Sequence, residues 1–360
     1  MEVLNRYTKD TKLFAVLVKK IKEIVKGKSF VFMEVCGTHT HAISRTGIRR
    51  ALLPEIKLLS GPGCPVCVTS QKDIDEFLSI ENAVLVSFGD MVKVPGSIKS
   101  LEKIKEEGHD VRIVYSPLDA LEMAENEPEK DFVFMGVGFE TTIPLFAACI
   151  KRAKEKNIKN FFIYPSFKLI PPALYFIVAH PELRIDGFLL PGHVSTIIGR
   201  KPYLFLAEEF RKPAVIAGFE PLDILYAVLM LVKQKSSNNP RVEIEYTRSV
   251  KEEGNPKAKD IIQEVFIPQE AEWRGLGKIR ESGLRFKKEW EEFDAKKRFR
   301  IEIPSPKENP LCRCGEILLG KIVPPDCPLF GRGCTPENPY GPCMVSSEGA
   351  CSAYYLYERQ

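Results

Sequence analysis

The 360 residues predict an α/β protein: two similar α/β lobes with mostly parallel sheets facing a cleft, and a smaller C-terminal domain. Three observations carry that expectation. Short apolar runs alternate with helix-patterned stretches along most of the chain. The runs are apolar throughout rather than alternating, as expected where helices cover both faces of a parallel sheet. They also fall into two series, and "FVFMEVCGT" and "FVFMGVGFETT" share FVFM-x-V before a loop, a weak internal echo.

The elements follow in order. An N-terminal helix leads into the first series of strands, "FVFMEV" (30–35), "IKLL" (56–59), "AVLVSF" (83–88) and "VRIVY" (111–115). Between them, "SQKDIDEFLSI" reads as a helix capped by Ser70, with Asp73 three residues on. "SIKSLEKIKEEG" reads as another, ending at Gly108. The second series is "DFVFMGV" (131–137), "FFIYP" (161–165), "IDGFLL" (185–190) and "AVIAGF" (214–219), with helices "TTIPLFAACIKRAKEKN" and "EPLDILYAVLMLVKQK". This spacing places one lobe at 1–125 and the other at 126–238. "KSSNNP" reads as a linker, and the charged, amphipathic "EGNPKAKDIIQEVF" and "GKIRESGLRFKKEWEEFDAKKRF" belong to an accessory domain, 239–360, that ends in a cysteine-rich tail.

Composition narrows the function. With 44% hydrophobic residues the chain has enough apolar surface for two or three real cores. The first residues lack a long apolar segment with a small-residue cleavage site, so no signal peptide is expected. The longest apolar run, "ILYAVLMLV" (224–232), is far short of the ~20 residues a membrane span needs. A cytoplasmic protein with reduced thiols is expected, monomeric on its own. In that compartment clustered cysteines point to metal or redox chemistry rather than a disulfide scaffold. The net charge of +4 is small and dispersed, which argues against nucleic acid. No G-x-x-x-x-G-K-[ST] or G-x-G-x-x-G occurs, so nucleotide binding has no motif behind it.

The unusual residues lie just after the strands, where open α/β sheets bind ligands. "CGTHTH" (36–41) follows the first strand, "GPGCPVC" (61–67) the second and "FGD" (88–90) the third. "GFETT" (138–142), "PGHVS" (191–195) and "GFEP" (218–221) follow strands of the second series. Ordinary turns also use Gly and Pro, but six such loops carrying Cys, His, Glu or Asp predict a shared functional cleft. Cys64 and Cys67 form a C-x-x-C dithiol at a helix start, a setting that favours thiolate. A zinc site completed by Cys36, His39 and His41 is an alternative. Cys36 itself reads as a Cys–His nucleophile, a metal ligand or a small buried residue. His39, Glu140 and His193 are candidates for acid–base or hydrogen-bonding roles. Cys149, inside "PLFAACI", reads as core, and His109 and His180 as surface or helix-end residues. The tail, "CRCGEILLGKIVPPDCPLFGRGCTPENPYGPCMVSSEGAC", holds six of the ten cysteines between 312 and 351. It matches neither ferredoxin spacing.

"CGTHTH", "GPGCPVC", "GFETT", "PGHVSTIIG" and the cysteine tail together resemble the signatures of the HypD family of [NiFe]-hydrogenase maturation factors, over essentially the whole chain. The resemblance implies two α/β lobes and a third domain holding a [4Fe–4S] cluster. It implies a role in building the Fe(CN)2CO unit, in complex with the chaperone HypC, which shares the iron, and with HypE, which carries cyanide as a thiocyanate. The family's C-x14-C-x6-C-x16-C cluster pattern lands on Cys312, Cys327, Cys334 and Cys351, leaving Cys314 and Cys343 as a redox pair. The residues alone do not select these four from six. The implied mechanism is a relay from the cluster to Cys314/Cys343 and on to Cys64/Cys67, with the iron held by Cys36 and His39, Glu140 and His193 positioning ligands or moving protons. A passive iron metallochaperone and a stand-alone thiol–disulfide oxidoreductase are the competing classes.

Overall fold

The structure, a computed structural model, describes residues 10–301 and 309–359. The outermost residues of the expected first and third domains, and the stretch 302–308, lie outside them.

All eight expected strands form: β1 (Phe30–Glu34), β2 (Ile56–Ser60), β3 (Val84–Ser87), β4 (Val111–Ile113), β5 (Phe132–Gly136), β6 (Phe161–Pro165), β7 (Gly187–Pro191) and β8 (Ala214–Ala217). β9 (Val242–Ile244) adds one that the sequence reading did not expect. β3 and β5 through β8 are buried along their whole length, which is why they read as unbroken apolar runs. Every ladder among β1–β9 is parallel.

The strands do not sort at residue 125. One sheet runs β2-β1-β7-β8-β9 and the other β4-β3-β5-β6. The chain lays down two strands of the first sheet, leaves to build the whole second sheet, and returns. A lobe at 1–125 and another at 126–238 therefore do not describe these sheets. The diversion has a physical anchor in the helix Gln71–Leu78. Ser70 caps it as expected, its hydroxyl accepting from Asp73 N at 3.0 Å. The Asp73 carboxylate points instead to the loop after β6, taking Lys168 Nζ at 3.1 Å and Ser166 Oγ at 2.9 Å. Burial opposes its charge, yet Lys168 and Lys296 beside it hold its carboxyl well below the usual range. Lys168 is 2% exposed, so breaking the pair would strand a buried cation at a cost of about 3–5 kcal/mol.

The apolar run 224–232 lies in the helix Pro221–Ser236, which packs on the five-stranded sheet and on the helix Thr11–Val25. Among the described residues no helix is long and apolar enough to cross a membrane.

The region from 239 onward is not set apart either. β9 extends the first sheet through β8. β10 (Phe266–Trp273) and β11 (Gly277–Phe286) then form an antiparallel hairpin, where only charged, amphipathic stretches were expected. A register shift between Gln269 and Ala271 and the left-handed Glu281 (φ 53°) break the two-residue period, so three consecutive residues, Ser282 to Leu284, are buried. The hairpin is wedged among the site loops: Arg274 N donates to Val68 O at 2.9 Å and Leu169 N to Ser282 O at 2.8 Å. The cysteine tail grips the helix Gly37–Thr46. Glu358 accepts from Ser44 Oγ at 2.5 Å and Arg49 Nε at 3.0 Å, and the Arg49 guanidinium lies 4.7 Å from the Tyr354 ring centre.

Candidate functional site

Because β1, β2, β7 and β8 are parallel neighbours, their carboxyl ends share one edge. That edge collects Cys36, the C-x-x-C loop, His193 and Phe219. The first two loops are in backbone contact. Gly37 N donates to Gly63 O at 2.9 Å. A Cβ on Gly63 would stand 2.1 Å from Cys36 N, so only glycine allows this approach.

Cys36 precedes the helix Gly37–Thr46 and is 7% exposed. Burial pushes its thiol up to about 12, against the pull of the His39 and Thr38 backbone N–H groups. Such a thiol is a poor free nucleophile, because the thiolate is the reactive form. It loses its proton when a metal binds. Directly behind it is Glu34, fully buried and pushed up to about 7 by burial. Its carboxylate accepts from Thr40 Oγ1 at 2.6 Å and from Cys36 N at 3.4 Å.

His39 is buried one turn further on, and burial pushes it down to about 4, so it is neutral. Its Nε2 lies 2.8 Å from Gly218 O. A carbonyl only accepts, so Nε2 carries the hydrogen and Nδ1 is a bare acceptor. Nδ1 is buried without a hydrogen-bond partner among the described residues. Phe219 lies between the two histidines, its ring centre 4.9 Å from His39 and 3.8 Å from the exposed His193. Burial lowers the His193 pKa. The tail reaches the same place, with Thr38 Oγ1 donating to Glu348 Oε1 at 2.6 Å.

The thiols form a line. Cys64 caps the short helix Pro65–Val68, its sulfur accepting from Cys67 N at 3.3 Å. Cys67 Sγ lies 3.9 Å from Pro342 O, and its thiol contacts Cys343. Cys343 in turn contacts Cys314, and Cys314 contacts Cys312. Burial, then Cys343 and Cys64, raise the Cys67 pKa. Cys343 is lowered, because Cys314 and Cys67 both donate to it. It is thus the thiol best placed to become thiolate. All six tail cysteines line one cavity with apolar walls of Ile317, Leu329, Phe330 and Met344.

Not every expected residue joins. Glu140 is buried and pushed up to about 7 by burial, but its Oε1 accepts from Ile170 N at 3.0 Å and it lines a separate apolar cavity with Phe266 and Leu284. Asp90 is exposed after β3. His41 turns to Ser347 O at 3.3 Å and to the Tyr357 ring. Among the described residues no three His, Cys, Asp or Glu side chains converge on a point that could hold one metal ion, which leaves the zinc alternative without a ligand set. Cys149 is core, 0% exposed. His109 is exposed and His180 sits at a helix end, as expected. Glu34, Glu348 and Arg274 were missed, while Phe219 stood in the expected GFEP loop without an assigned role. Glu34 alone left a signal, a charged residue inside an apolar strand.

A family model described as HypD, "Hydrogenase formation hypA family", matches residues 12–358. The chain is 46% identical to hydrogenase maturation factor HypD2 of Bradyrhizobium diazoefficiens, over 98% of this chain and 96% of that protein. It is 46% identical to hydrogenase maturation factor HypD of Rhizobium leguminosarum bv. viciae, over 92% and 89%. It is 45% identical to hydrogenase maturation factor HypD of Escherichia coli K12, over 91% and 89%.

Proposed function

The chain belongs to the HypD family of hydrogenase maturation factors, and from that premise we propose that it is a cytoplasmic scaffold on which the Fe(CN)2CO unit of a [NiFe]-hydrogenase is assembled. The iron unit is cargo. Cys36 offers it one thiolate and a HypC-type chaperone another, while a HypE-type carrier brings cyanide as a thiocyanate. A low-spin iron with such ligands is a soft centre, and thiolate is the matching donor.

The observation that carries the reading is the unbroken thiol line from Cys64 through Cys67, Cys343 and Cys314 to the tail cavity. Cys312, Cys327, Cys334 and Cys351 would hold a [4Fe–4S] cluster there. The donor set suits it: four thiolates around an apolar hollow, with Tyr340 N–H 3.4 Å from Cys334 Sγ. A cubane takes one thiolate per iron, so its ligands need not converge on a point. Bound there, the cluster would supply electrons singly.

The remaining chemistry belongs to the pairs. The Cys343 thiolate attacks Cys67 of a Cys64–Cys67 disulfide, and Cys64 leaves as a thiol. Cys314 then attacks Cys343, freeing Cys67. One disulfide has moved, and Cys64/Cys67 is a two-electron dithiol. That dithiol reduces R–S–C≡N to R–SH and HCN while closing its own disulfide, which balances atoms and electrons. His39 Nδ1 and the Glu34 carboxyl are the groups beside Cys36 able to accept a proton. Glu140 would act only at a distance, and His193 and Glu348 would frame the mouth.

Infrared spectroscopy of the protein purified with its HypC-type partner tests the reading. Cys36→Ser should keep the brown colour and the melting temperature but lose every iron-bound cyanide and carbonyl band. Bands that survive would remove Cys36 as the ligand. Full hydrogenase maturation by Cys64→Ser would instead leave a passive carrier.

A further inference from the structure

The helix Gly37–Thr46 starts directly after Cys36. The first turn of such a helix offers free N–H groups and a positive dipole end, a natural seat for an anion. Here the chain fills that seat with its own carboxylate. Thr38 Oγ1 donates to Glu348 Oε1 at 2.6 Å. A Cβ on Gly37 would stand 2.5 Å from Glu348 Cβ and 2.8 Å from Glu348 Oε2. The carboxylate therefore lies against the residue next to Cys36, and only glycine leaves it room. Among the described residues no Lys, Arg or His side chain pairs with Glu348, so its charge has no counter-ion.

The loop Ser346–Gly349 that carries Glu348 is pinned. Gly349 N donates to Ser346 O at 2.9 Å and Glu348 N to Ser346 Oγ at 3.2 Å. His41 Nδ1 lies 3.3 Å from Ser347 O. A Cβ on Gly349 would stand 2.2 Å from Cys343 O, so the loop rests on the tail backbone without slack. Glu348 is thus a fixed charge at the opening beside Cys36, not a surface acid free to swing away. Its charge acts on Cys36 and on His193.

We propose that Glu348 is a charge filter for Cys36: its carboxylate turns back free anions and admits cations and neutral groups. The inference rests on the reading of Cys36 as the seat of the iron unit. Iron reaches such a seat as a cation, and carbon monoxide is neutral. Free cyanide and free thiocyanate are anions, whereas R–S–C≡N bound to a carrier has no charge on the group handed over. The filter therefore selects carrier-bound cyanide over the free ion. It also closes to phosphate and similar anions a helix end that would otherwise collect them. Two like charges a few ångströms apart in a partly desolvated opening repel enough to shift a rate about tenfold.

The test compares iodoacetamide, which is neutral, with iodoacetate, its anionic analogue, on the anaerobically purified full chain, with the modified cysteines located by peptide mapping. The readout is the ratio of the two alkylation rates at Cys36, referred to the same ratio for the chain unfolded in urea. Wild type should favour the neutral reagent about tenfold, and Glu348→Gln should bring the ratio close to that of the unfolded chain. A role in packing alone would change both rates together and leave their ratio as it was. Equal ratios for wild type and Glu348→Gln therefore overturn the proposal, as does a wild-type Cys36 that neither reagent reaches. Cys149, 0% exposed, reports on folding. If Glu348→Gln opens Cys149 to either reagent, wild type decides through salt: screening between about 0.01 M and about 1 M should erase its preference, and a preference that salt does not move overturns the proposal. None of these rates involves iron, so the ligand assignment of Cys36 stands or falls separately, on the infrared bands.

Discussion

β1 and β5 both begin Phe-Val-Phe-Met, yet one ends beside Cys36 and the other beside Glu140. Where β1 has Glu34, β5 has Gly136. Glu34 fills its buried position with a carboxyl that ties down Thr40 and the Cys36 backbone. Gly136 leaves its position to Phe167, whose ring would stand 2.7 Å from any Cβ there. The loop after β1 opens on the cysteine tail, with Thr38 on Glu348. The loop after β5 is closed by the hairpin, Phe139 stacking on Trp273 at 6.1 Å. A parallel sheet delivers loops to its carboxyl edge in both cases. The chemistry then depends on what docks on that edge: six thiols at one, an aromatic wall at the other.

The largest difference between the two loops should appear in their glycines. Gly63→Ala drives a Cβ to within 2.1 Å of the Cys36 backbone, which has no room to yield. Gly138→Ala meets only the Thr142 side chain, at 2.6 Å and four residues away. Overpacking predicts about 3 kcal/mol lost for the first and about 1 kcal/mol for the second by chemical denaturation. Equal losses would mean that the two loops are equally rigid and would break the comparison.

A smaller effect separates the two carboxyls by pH. Burial raises both Glu34 and Glu140 from 4.5 to about 7. A carboxyl raised on folding lends stability that is fully present below its unfolded pKa and is lost as pH rises through the folded one. Each carboxyl, with Glu245 raised likewise, contributes a fall in melting temperature between about pH 4.5 and 7, opposed over much of that window by His39, which burial lowers from 6.5 to about 4. Glu140→Gln should flatten that fall with little other change, since its single bond comes from Ile170 N. Glu34→Gln should flatten it too, but lower the melting temperature throughout, because its carboxylate is held from several sides. A wild-type slope retained in both variants would show that neither group titrates in this range.

The strands were legible because β3 and β5 through β8 are buried on both faces and spell that out as apolar runs. The motifs at their ends were legible because Cys, His and Gly are scarce where turns need only Gly and Pro. Which sheet each strand joins was not. The pairing of β1 with β7, locked by Val31 N on Asp186 at 2.9 Å, spans 155 residues. No local period reports such a choice. The hairpin was hidden by its own bulge, whose shift removes the alternation that marks a strand. Glu348 and Arg274 act only through contacts with distant segments, so nothing around them in the chain marks them. The choice of four cluster thiols from six came from the resemblance. Cys314 contacts both Cys312 and Cys343, and all six tail cysteines share one cavity.

The central claim is that electrons pass between Cys343 and Cys67, residues brought together across most of the chain. Replacing both Cys64 and Cys314 by serine removes the thiols that would resolve the exchange and should trap its mixed disulfide. Mild oxidation of that double variant, followed by peptide mapping, should recover a Cys67–Cys343 link, while the wild type yields Cys64–Cys67 and Cys314–Cys343. A Cys343 linked to Cys327 or Cys351, with Cys67 free, would contradict the relay.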